Sequence, residues 1–203
     1  MIYSIDEGVQ KILEELDRQG IRDNTMIIFT SDNGAEKEKM KYPAPNGGFR
    51  GFKGDVYEGG IRVPTIFYYP KEIKGGQVND QTMLSMDIVP TIYDFAGIKN
   101  HARLDGVSLK KSLSKGKKLP SRKVYWANLN DSAIRDGDWK LVRDQDKIEL
   151  FNIATDKFET TDLANDPAYK ARAQKMNTEL EMWWDSTTKG TRLEWRTVGG
   201  KKR

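Results

Sequence analysis

The 203-residue chain has no cysteine and a single histidine, His101. The first absence excludes disulfides and thiolate metal sites, but leaves the compartment open. Long apolar runs are missing too: none approaches the roughly 20 residues of a membrane-spanning helix. Met1-Ile2-Tyr3-Ser4-Ile5-Asp6-Glu7 carries acid and no basic segment, so the N-terminus does not read as a secretory signal. Neither sign of charge dominates. Lys and Arg number 34 against 30 Asp and Glu, giving a net charge of +4. The basic excess gathers at Lys110, Lys111, Lys115, Lys117 and Lys118 and at Lys201-Lys202-Arg203. Such runs read as solvated segments, with attraction of a polyanionic partner as the functional alternative. No stacking aromatics interleave with them, which argues against nucleic acid. What remains, 37% hydrophobic and 32% charged residues, suits one folded domain or one domain with a small appendage.

Ile2, Ile5, Val9, Ile12, Leu13 and Leu16 recur at three- and four-residue steps, predicting an amphipathic helix that Gly20 closes. Thr25 to Thr30 is a continuous apolar run, the pattern of a buried strand in a parallel sheet. Helix followed by buried strand is half of a doubly wound α/β fold. Residues 34–61 show no period but many glycines, with Pro43 and Pro45, and a loop this long inside a domain is usually functional. Arg62 to Tyr69 reads as a further strand. Gln81 to Phe95 reads as a helix with Ser85 or Asp87 at its cap, Pro90 in its first turn or at a kink, and Gly97 beyond its end. The lysine-rich stretch from Ser112 to Ser121 marks a boundary between residues 1–122 and 123–203. Beyond it, strands are predicted at Val124–Leu129, Ser132–Arg135, Trp139–Arg143 and Ile148–Ile153. Asp136-Gly137-Asp138 and Asp144-Gln145-Asp146 are the hairpin turns between them. A last helix runs from about Pro167 to Trp184, with Leu180, Trp183 and Trp184 packing back. The fold class is therefore α/β: part of a doubly wound sheet, then a small antiparallel sheet with one helix.

Two segments carry chemistry. Asp32 and Asn33 follow the first strand, and in open α/β sheets that carboxyl edge is where ligands bind. A carboxylate beside an amide oxygen suits a hard divalent cation and supplies two of its six or more ligands, although Ser-Asp-Asn-Gly is also an ordinary turn. Lys53 stands between Gly51 and Gly54, where the backbone approaches a ligand closely, and Arg50 adds a planar fork suited to tetrahedral oxyanions. A fixed ammonium there stabilises charge developing on an ester's leaving oxygen, or protonates it. The plainer alternative is a solvated loop lysine, with Glu58 and Arg62 as an ion pair. His101 reads as a loop histidine, and Asn128, Asn130 and Asp131 as hairpin polarity or a pocket lining. Residue types leave both sets of readings open.

Phe29-Thr30-Ser31-Asp32-Asn33-Gly34, then Arg50-Gly51-Phe52-Lys53 and Tyr57-Glu58-Gly59-Gly60-Ile61-Arg62-Val63-Pro64, resemble the type I sulfatases of the alkaline phosphatase superfamily. Asp87-Ile88-Val89-Pro90-Thr91, Leu104-Asp105-Gly106-Val107 and Ala133-Ile134-Arg135-Asp136-Gly137-Asp138-Trp139-Lys140 match in the same order. The resemblance covers nearly the whole chain and corresponds to the family's C-terminal part. It implies hydrolysis of an aryl or carbohydrate sulfate ester. It assigns Asp32 and Asn33 to an active-site Ca2+, Lys53 to sulfate, Arg50 to a lesser substrate-binding role, and Glu58 and Arg62 to support of the loop. It implies a periplasmic, secreted or lysosomal setting as well. The family's formylglycine nucleophile arises in a Cys/Ser-x-Pro-x-Arg motif, which this sequence lacks; Lys118-Leu119-Pro120-Ser121-Arg122 has lysine at the modified position. The early calcium ligands also have no match before Asp32. The chain alone is thus expected to be inactive, to bind calcium weakly and to self-associate through unpaired strand edges. A phosphodiesterase or phosphonate hydrolase of the same superfamily, or a non-catalytic module binding sulfated glycans, are the competing readings.

Overall fold

A computed structural model describes residues 2–37, 45–99, 104–128, 131–145 and 147–189. His101, Asn130 and the basic cluster at Lys201-Lys202-Arg203 lie outside them. The chain divides into two units, one of residues 1–30 and 65–120, the other of 31–64 and 121–203. Among the described residues no helix is long and apolar enough to cross a membrane.

The first unit opens with helix α1, Ile2–Arg18. Gly20 closes it in the left-handed conformation (φ 67°), and the Ile21 N–H returns to Leu16 O at 3.1 Å, the cap its position predicts. Strand β1, Ile27–Thr30, pairs with β2, Thr65–Tyr68. The pairing is antiparallel, with Phe29 opposite Ile66, and no residue of β1 is fully buried. This corrects the expectation of a buried parallel strand. An apolar run specifies strand conformation but not direction, which is set by the partner that docks on it.

Helix α3, Ile88–Phe95, is shorter than predicted, because a 3-10 turn at Ser85–Asp87 precedes it. Pro90 is its third residue, where an N–H would have no intrahelical acceptor, so nothing is lost and no kink is needed. Asp87 is fully buried. Its carboxylate accepts the N–H groups of Leu84 (2.8 Å) and Val107 (2.9 Å) and so ties the Leu104–Leu109 segment to the helix start. Lys110–Lys115 forms helix α4, ended by Gly116 at φ 63°. Lys110 is therefore no solvated loop residue: it pairs with Glu72 at 2.8 Å and lies over the Phe95 ring.

The second unit holds a four-stranded antiparallel meander, β3 (Lys123–Ala127), β4 (Asp131–Asp136), β5 (Trp139–Asp144) and β6 (Lys147–Asn152), close to the predicted strands. Helix α5, Lys170–Thr188, lays Ala173, Met176 and Leu180 on Ile134, Leu141 and Leu150, while Trp183 stacks on Tyr125 at 4.8 Å. On the opposite face Ala133, Val142 and Phe151 pack against Val56 and Tyr57 from the glycine-rich segment. Burial of each such Leu or Phe contributes about 1.5–3 kcal/mol. Both faces of the sheet are covered, so the long loop is part of the core.

Candidate active-site loop

The Ser31–Gly34 turn is held from within by Ser31 Oγ donating to Asn33 O at 3.1 Å. It is held from without by Gly34 N–H donating to Gly60 O at 2.9 Å. A Cβ on Gly34 would run into the Gly59 carbonyl, so this approach requires glycine. One residue on, Ala35 N–H donates to Asn46 Oδ1 at 2.7 Å, and the Asn46 amide donates to Gly51 O at 3.1 Å. Lys53 N–H donates to Ala35 O at 2.9 Å. The backbone of Lys53 is thus hydrogen-bonded two residues beyond Asn33, although nearly twenty positions separate them in sequence. Gly51 (φ 86°) and Gly54 (φ 99°) make the turns on either side of Lys53. The Asn128 amide donates to Gly54 O, which brings the start of the β3–β4 connection to this loop.

Side-chain exposure separates the expected site residues. Asp32 and Lys53 are exposed and Asn33 is half-buried. Asp32 receives a long contact from Ser31 Oγ, at 3.5 Å, and the Lys53 ammonium has no ion pair among the described residues. Arg50 is differently placed. Its guanidinium lies 4.0 Å from the Tyr57 ring centre, bonds the Glu149 carboxylate at 3.2 Å and donates to Glu159 O at 3.2 Å. Glu58 and Arg62 do pair, at 3.3 Å, one helical turn apart in α2, Glu58–Ile61, and its C-cap. Glu58 is buried, however, and its closer partner is Lys140 at 2.9 Å. Burial pushes the Glu58 carboxyl up, but Lys140, Arg135 and Arg62 outweigh it and hold the group below the usual carboxylate range.

Lys140, Glu149, Glu159 and Asn46 shape this loop, and the sequence reading missed them. The first two alternate with apolar neighbours along their strands, the pattern of a solvent-facing residue. As for a cation, Asp32 and Asn33 offer two oxygen donors on one exposed turn. Among the described residues no three His, Cys, Asp or Glu side chains gather as a metal cluster. Two oxygens are a fraction of the six or more that a hard divalent cation takes.

Residues 1–98 match the Sulfatase family. A sulfatase of Formosa agariphila is 33% identical over 212 residues, spanning 88% of this chain and 38% of that protein. The N-acetylglucosamine-6-O-sulfatase of Bacteroides thetaiotaomicron is 29% identical, over 89% of this chain and 34% of its own length. The crystal structure of Ps i-CgsB in complex with k-i-k-neocarrahexaose superposes with a TM-score of 0.81 at 32% identity, covering 94% of this chain and 43% of that one. The chain belongs to the sulfatase family. It corresponds to the C-terminal part of the sulfatase fold, and spans well under half the length of the curated relatives it matches.

Proposed function

We propose that this chain is the C-terminal part of a sulfuric ester hydrolase acting on sulfated carbohydrate, with Lys53 as its sulfate-contacting residue. One observation carries the reading: the Lys53 N–H bond to Ala35 O, which closes the glycine-rich loop on the Asp32–Asn33 turn. The exposed ammonium of Lys53 binds the sulfuryl oxygens and stabilises charge that grows on the leaving oxygen as the ester bond breaks. Asp32 and Asn33 would be ligands of a Ca2+, which would supply positive charge to the sulfate when bound. Arg50, paired with Glu149, acts on substrate through the loop it holds. The complex of Ps i-CgsB with k-i-k-neocarrahexaose and the N-acetylglucosamine-6-O-sulfatase support a carbohydrate ester as substrate. The nucleophile is a formylglycine outside this sequence, and the setting is extracytoplasmic.

A chimera tests the reading. This chain, replacing the corresponding part of the Formosa agariphila sulfatase, should support release of sulfate, and Lys53→Ala should lower kcat by about 10²–10³-fold. A folded, formylglycine-bearing chimera indifferent to Lys53→Ala would sink the assignment. The 203-residue chain alone should release no sulfate from a chromogenic aryl sulfate. Calorimetry should find it to bind calcium only weakly, because two ligands are too few.

A further inference from the structure

The second unit buries charge that the proposed chemistry does not use. Lys140 projects from β5 on the face that meets the glycine-rich segment, and it is fully buried. Its ammonium lies 2.9 Å from Glu58 Oε1 and 2.8 Å from Glu159 Oε1. Glu159 turns its other oxygen to accept the Glu58 backbone N–H at 2.7 Å. Arg62, at 3.3 Å, and Arg135, at 4.0 Å, add positive charge to the far side of Glu58. Glu58 is thereby gripped through both side chain and backbone by two residues more than eighty positions away.

Glu58 opens α2, and α2 is where both halves of the candidate site are fastened. Gly59 N–H donates to Arg50 O at 2.6 Å, and Gly60 O accepts from Gly34 at 2.9 Å. We infer that Lys140 is a positioning residue: it fixes the start of α2, and through Gly59 and Gly60 sets where Lys53 and the Asp32–Asn33 turn stand. Stability alone does not call for such a cluster, since apolar side chains of similar volume commonly serve as well as a buried ion pair. What the ammonium adds is direction, because it has to meet both carboxylates at hydrogen-bonding distance. The inference rests on the sulfate-site reading only for its purpose, not for its geometry.

Amide hydrogen exchange of the 203-residue chain tests it. Lys140→Met and Glu58→Gln should speed exchange at Gly34, Lys53 and Gly59 about ten-fold more than at Ile134 and Leu141 in the middle of the sheet. Lys140→Arg, which keeps the charge, should restore most of the protection. If Lys140→Met does not fold, Glu58→Gln carries the same expectation, because it leaves Lys140 paired with Glu159. Equal acceleration in loop and sheet, or none in the loop, would overturn the inference. The sulfate reading is decided separately by titrating the Lys53 resonances with inorganic sulfate. Selective loop exchange without a sulfate response supports the anchor and removes the sulfate site; a sulfate response with uniform exchange does the reverse.

Discussion

Glu149 accepts from Lys147 at 2.7 Å, from Arg50 at 3.2 Å and from the Tyr57 hydroxyl. Burial pushes its carboxyl up, but these three donors outweigh burial and hold it below the usual range, as happens at Glu58. A carboxyl held down in the folded state contributes stability above its unfolded pKa, and that contribution is lost as pH falls through the folded value. Urea midpoints should therefore drop as pH is lowered from about 5 to below 4. Glu149→Gln should flatten part of that fall and cost about 1–3 kcal/mol at neutral pH, since Arg50 loses its carboxylate. A pH-independent midpoint over that window would contradict the ion-pair account. Glu159 has the opposite sign. Burial raises its carboxyl beyond what Lys140 pulls back, so its ionised form disfavours folding as pH rises through the raised value. The turns at Asp32-Asn33 and on either side of Lys53 were legible because a strand end and glycines mark them. Lys140 and Glu149 were not, because strand alternation says only which face a side chain is on. Here that face is covered by the loop.

At the scale of elements, α2 shows how close contact demands glycine. A Cβ at Gly59 would meet Arg50 O at 2.5 Å and Phe49 O at 2.6 Å. Gly59→Ala should therefore destabilise by about 1–3 kcal/mol in chemical denaturation. Gly8 is the control: it lies inside α1 with nothing within 4 Å of a Cβ, so Gly8→Ala should stabilise by about 0.5–1 kcal/mol. Equal effects at the two sites would refute the close-approach argument. The strands and α5 were readable from their short apolar runs and the turn residues that separate the strands. The α2 turn was not: four residues containing two glycines carry no period, and the turn is defined by what it touches.

For the whole molecule, apolar exposure is uneven. Among the described residues, thirteen of the fifteen exposed large hydrophobics fall in the unit of residues 1–30 and 65–120, Ile2 at 85% and Ile66 at 58% among them. Among the described residues that unit's sheet has two strands, β1 and β2, which carry the exposed Phe29 and Ile66. Sedimentation velocity should show concentration-dependent association, which Ile66→Lys reduces; a clean monomer at high concentration would rule this out. Local pattern was enough to establish α1, α5, the C-terminal meander and the sulfatase resemblance. The direction of β1, the engagement of Arg50 and the anchoring of Glu58 came only with the folded chain. The first rests on pairs 35 to 41 positions apart, Thr30 with Thr65 to Ile27 with Tyr68, and the others on contacts 82 to 99 positions apart, Lys140 with Glu58, Tyr57 and Arg50 with Glu149. A local period states that a side chain is turned to one side, whereas its partner there is chosen by packing over the whole unit.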